Sequence, residues 1–148
     1  TLPCEDDTFD VVVSFETIEH LPDDVRKSYL QELHRVLKSE GTLLVSTPNK
    51  LITSPWTKRP SNRHHVLEFT KRSFIKEISD AGFTIQNMFG QRLIHCLFAF
   101  RLVRLLEIAR CRLMGKTSER YYTANGPAVQ VVPRFHTARY FIVEATKR

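Results

Sequence analysis

Residues 9–24, FDVVVSFETIEHLPDD, decide how this chain folds. The first seven are mostly apolar, and three consecutive valines favour a β-strand buried on both faces, as in a parallel sheet. The segment then turns polar, with Glu16, Glu19 and His20 in the pattern Glu-x-x-Glu-His. Two carboxylates and an imidazole therefore follow a predicted buried strand, where they either line a site or cap the next element.

A helix is predicted directly after this segment. Asp23 is a suitable N-cap because a carboxylate accepts hydrogen bonds from free helical N–H groups. Gly41 follows the last turn, where a left-handed residue ends a helix easily. The predicted inward stripe of this helix consists of Val25, Tyr29, Leu30, Leu33, Val36 and Leu37.

The remaining segments continue an alternation of strands and helices. Thr70 is the predicted cap of a second helix and Gly82 its end. The other predicted segments are a strand at 42–47, a long loop at 49–69, a strand at 84–91, a helix at 92–114, loop at 115–136 and a last strand at 139–146. This alternation predicts a parallel or mixed α/β sheet, in which ligands bind beyond the carboxyl ends of the strands.

Composition places the chain among ordinary globular domains. It has 148 residues, 42% hydrophobic and 26% charged, which suits one domain. No apolar run approaches the roughly 20 residues that span a bilayer. The acidic start is unlike a signal peptide, and three cysteines without a CxxC pair indicate free thiols (Cys4, Cys96 and Cys111). We therefore expect a reducing, cytoplasmic location.

Charge is distributed unevenly along the chain. Residues 1–49 carry ten acidic and four basic side chains, whereas residues 50–148 carry six acidic and eighteen basic ones. A basic second half indicates an anionic partner, such as a phosphate, nucleic acid or membrane surface, or else a solvated basic surface.

Several motifs occur in a fixed order along the first half of the chain. They are Leu2-Pro3, Phe9-Asp10, Glu19-His20-Leu21, Arg35-Val36-Leu37-Lys38, Gly41 and Thr47-Pro48-Asn49. This order resembles the second half of class I S-adenosylmethionine-dependent methyltransferases. A weaker resemblance, to bacterial methyltransferases of cell-surface sugars and small metabolites, continues through residues 65–70 and 81–83. The resemblance to class I methyltransferases implies a partial Rossmann-like sheet that consists of the last four strands. This sheet would be mixed, with the final strand antiparallel.

The chain departs from the family in two respects, because it lacks both the Gly-rich turn and the acidic residue that ends the family's second strand and holds the ribose. The Gly-rich turn that lets backbone approach the cofactor is absent, because glycines 41, 82, 90, 115 and 126 form no such cluster. We therefore expect residues 1–148 to be the carboxyl-terminal portion of one methyltransferase domain that binds cofactor weakly alone, or an inactive remnant that serves as a binding module. Strand 9–15 would then have an open edge, which pairs with a second copy or belongs to a longer protein.

The resemblance also implies roles for residues at the strand end. Ser14, Phe15 and Glu16 would line the methionine end of S-adenosylmethionine, although Phe15 also suits a core position. His20 and His65 are the candidate catalytic residues. His20 would accept a proton from the acceptor as the methyl group arrives, or would only orient the next helix.

A metal site is a further expectation. Glu-x-x-Glu-His plus a distant histidine resembles the metal site of small-RNA 2′-O-methyltransferases, with Glu16, Glu19, His20 and His65 as ligands and His64 as a substitute for His65. Carboxylates and imidazoles can hold Mg²⁺, Mn²⁺ or Zn²⁺, which would acidify a bound hydroxyl. Relatives without a metal also carry Glu-His-Leu here.

The expected acceptor is a small or sugar-like molecule, methylated on oxygen or nitrogen. The basic run 58–65 would clamp an anionic acceptor, or is a solvated loop. RNA is disfavoured because basic motifs interleaved with aromatic residues are lacking. Residues 92–136 would form a substrate cap or dimerisation insert, and helix 92–114 could lie on a membrane surface. Trp56, Tyr121 and Tyr122 would line a pocket or belong to the core.

Overall fold

A computed structural model describes residues 2–93, 106, 109, 113, 129–130 and 138–147. The strands are β1 (Phe9–Phe15), β2 (Leu37–Pro48), β3 (Phe83–Leu93), β4 (Val129–Gln130) and β5 (Ala138–Lys147). The helices are α1 (Asp23–Val36), α2 (Lys50–Thr53) and α3 (Lys71–Asp80), with a 3₁₀ turn at Ile18–His20. The strands form one sheet in the order β1-β2-β5-β3-β4.

The sheet is mixed because its fifth strand in sequence runs against its neighbours. β1 and β2 are parallel, with Val12 opposite Leu43, whereas β5 is antiparallel to both β2 and β3. The carboxyl ends of β1, β2 and β3 therefore meet at the edge where β5 begins. The predicted α/β sheet with an antiparallel last strand is confirmed. β4 was not predicted: it lies in a segment interpreted as loop.

The core lies where α1 and α3 pack against the sheet. Each buried aliphatic or aromatic side chain contributes about 1.5–3 kcal/mol relative to leaving it in water. The fully or almost fully buried members include Leu30, Leu33, Leu43, Val45, Phe74, Ile78, Phe83, Phe141, Val143 and Ala145.

Both predicted ends of α3 are confirmed. Thr70 Oγ1 accepts a hydrogen bond from Ser73 N, and Ser73 Oγ accepts one from Thr70 N, so the two satisfy each other's free backbone donors. Gly82 ends the helix with φ +96°, a conformation that costs glycine little.

Two expectations for α1 are wrong. Pro22, not Asp23, is the N-cap, and Asp23 is the first helical residue. Val25 is 47% exposed, and Arg26 is buried instead. Arg26 Nε donates to Glu77 Oε1 of α3 at 2.6 Å, so a paired charge occupies a position on the buried face of the helix.

Gly41 does not cap α1. The helix ends at Val36, and Gly41 lies within β2, after Glu40, which has φ 61°. A Cβ at position 41 would lie 2.8 Å from both Leu37 Cγ and Lys38 O. The glycine is therefore required by close packing and not by a left-handed conformation.

The prediction that β1 is buried on both faces is wrong. Alternate residues Phe9, Val11, Val13 and Phe15 are 40–55% exposed, whereas Ser14 is buried. Within the described part of the chain, β1 is an edge strand whose one partner is β2. An apolar face beside an open strand edge is the geometry that pairs with another chain segment.

The predicted helix at 92–114 cannot begin at residue 92, because β3 continues to Leu93. Leu106, Ala109 and Leu113 are helical. The rest of that prediction, and most of the insert 92–136 with Tyr121 and Tyr122, lies outside the described residues. Among the described helices, none has the length and hydropathy needed to cross a membrane.

Candidate active site

The polar residues after β1 lie at the carboxyl edge of the sheet. Phe15 is opposite Ser46 in β2, which ends at Pro48. Asn49 then joins β2 to β5, since its Nδ2 donates to Ala138 O and its backbone N donates to Arg139 O, each at 2.8 Å. The edge is therefore built by three strands held in fixed register.

Glu16 sits at the strand end in a left-handed conformation, with φ 51°. Its N–H donates to Ser46 O at 3.3 Å and to Ser46 Oγ at 3.1 Å, and Ser46 Oγ donates to Glu16 Oε1 at 2.7 Å. Burial is the main cause that raises the pKa of the Glu16 carboxyl to about 7. Left-handed non-glycine residues are strained, and such strain concentrates at functional sites.

Ser14 and Phe15 differ in what they offer a ligand. Ser14 is 4% exposed, and its Oγ shares a 2.8 Å hydrogen bond with the Tyr29 hydroxyl of α1. Phe15 is 50% exposed, so the core position considered for it is wrong.

Glu19 is the most buried acid of the site, with no solvent exposure. Its Oε2 accepts a 3.3 Å hydrogen bond from Thr47 Oγ1, whereas Oε1 has no hydrogen-bond partner among the described residues. Desolvation raises the pKa of the Glu19 carboxyl. A buried oxygen without a partner costs roughly 1–3 kcal/mol, so this atom favours a cation or donor beside it.

His20 and His65 come together although they are far apart in sequence. Their ring centroids are 4.9 Å apart, with the planes at 84°. His20 Nδ1 donates to His64 O at 2.8 Å, which leaves the lone pair of His20 Nε2 available. One ligand atom each from Glu19, His20 and His65 lies within 4.8 Å of the others.

Backbone hydrogen bonds bring His65 to this place. Val66 N and Leu67 N both donate to Glu19 O, at 2.9 and 3.2 Å. His64 contributes its carbonyl, whereas its ring Nε2 accepts from Arg63 Nε at 3.2 Å. His65, and not His64, is therefore the histidine of the cluster among the described residues.

Two residues differ from the predicted ligand set. Glu16, predicted beside Glu19 and His20, is not among the three residues that converge. Glu68 was not singled out from the sequence, yet its Oε1 accepts a 3.1 Å hydrogen bond from His65 Nδ1. The signal that identifies Glu68 is an acid three residues after a candidate histidine, between the apolar residues Leu67 and Phe69.

The loop that contains the basic run 58–65 is largely exposed to solvent, and its last residue, His65, belongs to the cluster with Glu19 and His20. Lys58, Arg59 and Arg63 are exposed, and Trp56 is 48% exposed. The loop therefore presents positive charge and one aromatic surface without burying either.

Comparison with known proteins supports the resemblance drawn from the motifs. Residues 1–45 match the family described as methyltransferase domain. A probable S-adenosylmethionine-dependent methyltransferase of Mycobacterium tuberculosis is 42% identical over 89 residues, which is 60% of this chain and 32% of that protein. One from Mycolicibacterium smegmatis is 38% identical over 89 residues, 60% of this chain and 34% of that protein. The match thus spans about a third of these relatives.

Solved structures support the fold. A possible histamine N-methyltransferase of Thermotoga maritima superposes with TM-score 0.68 at 16% identity, over 100% of this chain and 60% of that one. The 1,6-didemethyltoxoflavin N1-methyltransferase of Burkholderia thailandensis gives TM-score 0.55 at 16% identity, over 96% of this chain and 45% of that one. The expected resemblance to class I methyltransferases and the Rossmann-like fold are confirmed.

Glu16 should make stability depend on pH. Because its folded pKa of about 7 exceeds the value of 4.5 for a free glutamate, the folded state retains a proton that the unfolded chain loses. The stabilising contribution of the Glu16 carboxyl to the free energy of unfolding is therefore present below about pH 4.5 and is lost as the pH rises to about 7. Glu16→Gln removes this loss, so we expect it to stabilise the protein at neutral pH by roughly 1–2 kcal/mol after allowance for solvent screening.

Urea denaturation at several pH values checks this. The advantage of Glu16→Gln over the wild type should grow between about pH 4.5 and 7 and then level off. Glu5→Gln, at an exposed acid, is the matched control. An advantage for Glu16→Gln that does not change with pH would contradict the proposed burial of the charge.

Proposed function

We propose that the protein transfers the methyl group of S-adenosylmethionine to an oxygen or nitrogen atom of a small or sugar-like acceptor. The observation that carries this proposal is the convergence of Glu19, His20 and His65 at the carboxyl edge of a methyltransferase-like sheet. Ligands of open α/β sheets bind at that edge.

The methionine end of the cofactor is proposed to bind at the carboxyl end of β1. Ser14, Phe15 and Glu16 supply the turn, whose backbone is fixed by the hydrogen bonds between Glu16 and Ser46. When bound, S-adenosylmethionine supplies a methyl group on a positively charged sulfur.

His20 is the proposed general base, with His65 as the second candidate catalytic residue. His20 Nε2 would accept the proton of the acceptor O–H or N–H as the acceptor's lone pair forms a bond to the methyl carbon. The carbon–sulfur bond would break at the same time, and its electron pair would remain on the sulfur of the product, S-adenosylhomocysteine. The hydrogen bond from His20 Nδ1 to His64 O favours this role because it keeps the ring proton on Nδ1, so that Nε2 carries the lone pair.

Metal-assisted methyl transfer to a hydroxyl, such as the 2′-hydroxyl of RNA, is the second candidate. The unpartnered, fully buried Oε1 of Glu19 favours it. Glu19, His20 and His65 would hold a divalent ion, with Glu16 as a nearby carboxylate. The ion would supply Lewis acidity that lowers the pKa of an acceptor hydroxyl.

The acceptor is proposed to be anionic. The exposed cations Lys58, Arg59 and Arg63 lie in the loop that also carries His65, so a phosphate or carboxylate bound there would be held near the histidines.

We also propose that a second copy of the chain pairs with β1. Support comes from its edge position and its exposed residues Val11 and Val13.

Loss of the base should reduce chemistry more than binding. We expect His20→Ala to lower the turnover of labelled S-adenosylmethionine by roughly 10²-fold or more, while affinity for S-adenosylhomocysteine changes less than about threefold. The assay uses the longest native polypeptide containing this chain, methyl-labelled cofactor and a small-molecule extract as acceptor. Lys27→Ala, on the exposed side of α1, is the control. Absence of both binding and label transfer in the wild type would favour an inactive binding module.

A metal at the cluster should depend on its three members. Calorimetry with Mn²⁺ alone should give one site, and Glu19→Gln or His65→Ala should weaken it by roughly 10- to 100-fold. Asp24→Asn, at an exposed acid, should leave the affinity unchanged. Equal Mn²⁺ binding by all variants, or none by the wild type, would exclude metal assistance.

Pairing through β1 predicts a concentration-dependent dimer. Light scattering should show the wild type as a dimer and Val11→Lys/Val13→Lys as a monomer, because charge opposes pairing across an apolar face. Val25→Lys, at a valine of α1 with similar exposure, should remain a dimer. A monomeric wild type would show that a second copy does not cover this edge.

A further inference from the structure

Glu68 is a buried acid that the proposed chemistry does not use. Its side chain is 1% exposed. Oε2 accepts hydrogen bonds from Thr53 Oγ1, at 2.7 Å, and from Ser54 Oγ. Oε1 accepts the 3.1 Å bond from His65 Nδ1. The carboxylate therefore connects the end of α2 on one side with His65 on the other.

The α2 side of this connection is itself fixed to the sheet. Asn49, which joins β2 to β5, caps α2 by accepting from Leu51 N at 3.1 Å, and its carbonyl accepts from Thr53 N at 2.9 Å. Glu68 is thereby anchored to the strand ends, so it can act as a rigid support. Buried carboxylates are costly unless hydrogen bonds compensate them, and Glu68 has three such bonds.

Both ring nitrogens of His65 have partners that require the same tautomer. Nδ1 faces the acceptor Glu68 Oε1 and so carries the proton. Nε2 lies 2.9 Å from Asn62 Nδ2, an amide donor, and so carries the lone pair. Asn62 is exposed, so a ligand or substrate could replace it at Nε2.

We propose that Glu68 is a positioning residue: it fixes the ring orientation and tautomer of His65 so that Nε2 is presented to the site. This inference rests on the proposed function, in which His65 takes part. A carboxylate behind a histidine sets which nitrogen is free and raises its basicity, and loss of such partners costs roughly 10- to 100-fold in activity or metal affinity. If Glu68 had only a structural role, its hydrogen bonds would hold the loop in place without setting the tautomer of His65.

The test compares Glu68→Ala, Glu68→Gln and Ser54→Ala in the longest native polypeptide containing this chain. The first readout is the tautomer of His65, from ¹⁵N–¹H ring correlations without substrate. We expect the Nδ1–H form in the wild type, a mixture in Glu68→Ala, and largely the wild-type form in Glu68→Gln, whose amide oxygen can still accept. Ser54→Ala removes a hydrogen bond behind the carboxylate and should lower stability only.

The second readout separates turnover from binding. Glu68→Ala should lower kcat by roughly 10- to 100-fold, with S-adenosylhomocysteine affinity within about threefold of the wild type and partial rescue in Glu68→Gln. An unchanged tautomer and kcat in Glu68→Ala, with only reduced stability, would overturn the inference. If Glu68→Ala does not fold, an Nε2–H tautomer in the wild type would overturn it equally. A tautomer shift in a protein without methyl transfer would instead refute the proposed function and leave the positioning role intact.

Discussion

The carbonyl oxygen of Glu19 holds the site together. It accepts hydrogen bonds from Val66 N and Leu67 N, and so docks the loop that carries His65 against the 3₁₀ turn that carries His20. Together with the hydrogen bond from His20 Nδ1 to His64 O, these two bonds bring the two histidines to a ring separation of 4.9 Å. The Glu19 side chain itself is fully buried.

Burial at this strand end destabilises the folded protein, and it also creates polar groups with unusual properties that suit a functional site. Glu16 combines a left-handed backbone with a pKa raised to about 7, and Glu19 keeps one oxygen without a partner. Structures retain such unfavourable features where the surrounding contacts impose them, and they concentrate at functional sites. Here the imposing contacts are the Ser46 hydrogen bonds and the docked loop. We therefore propose that a ligand bound at this edge would relieve these costs.

Local signals in the sequence were sufficient for part of this structure. The Thr70 cap and the Gly82 end follow from short patterns, and the antiparallel last strand was implied by the resemblance to methyltransferases; each is confirmed. The burial of Arg26 and the packing role of Gly41 depend on residues from other elements. The exposure of Val11 and Val13 depends on what lies beside β1, so the apolar pattern alone predicted burial wrongly. Glu68 could not be predicted for a related reason. Its hydrogen bonds are made with Thr53, Ser54 and His65, which only the folded loop brings into contact with it.

The central claim is that the polar residues following β1 face the methyl donor. A crystal structure of the longest native polypeptide with S-adenosylhomocysteine, with its sulfur located by anomalous scattering, tests this most directly. The account predicts the sulfur at the carboxyl end of β1, beside the turn at Glu16 and on the same side as His20. A sulfur at the opposite end of the sheet, with Glu16, Glu19 and His20 unchanged and far from the ligand, would contradict it.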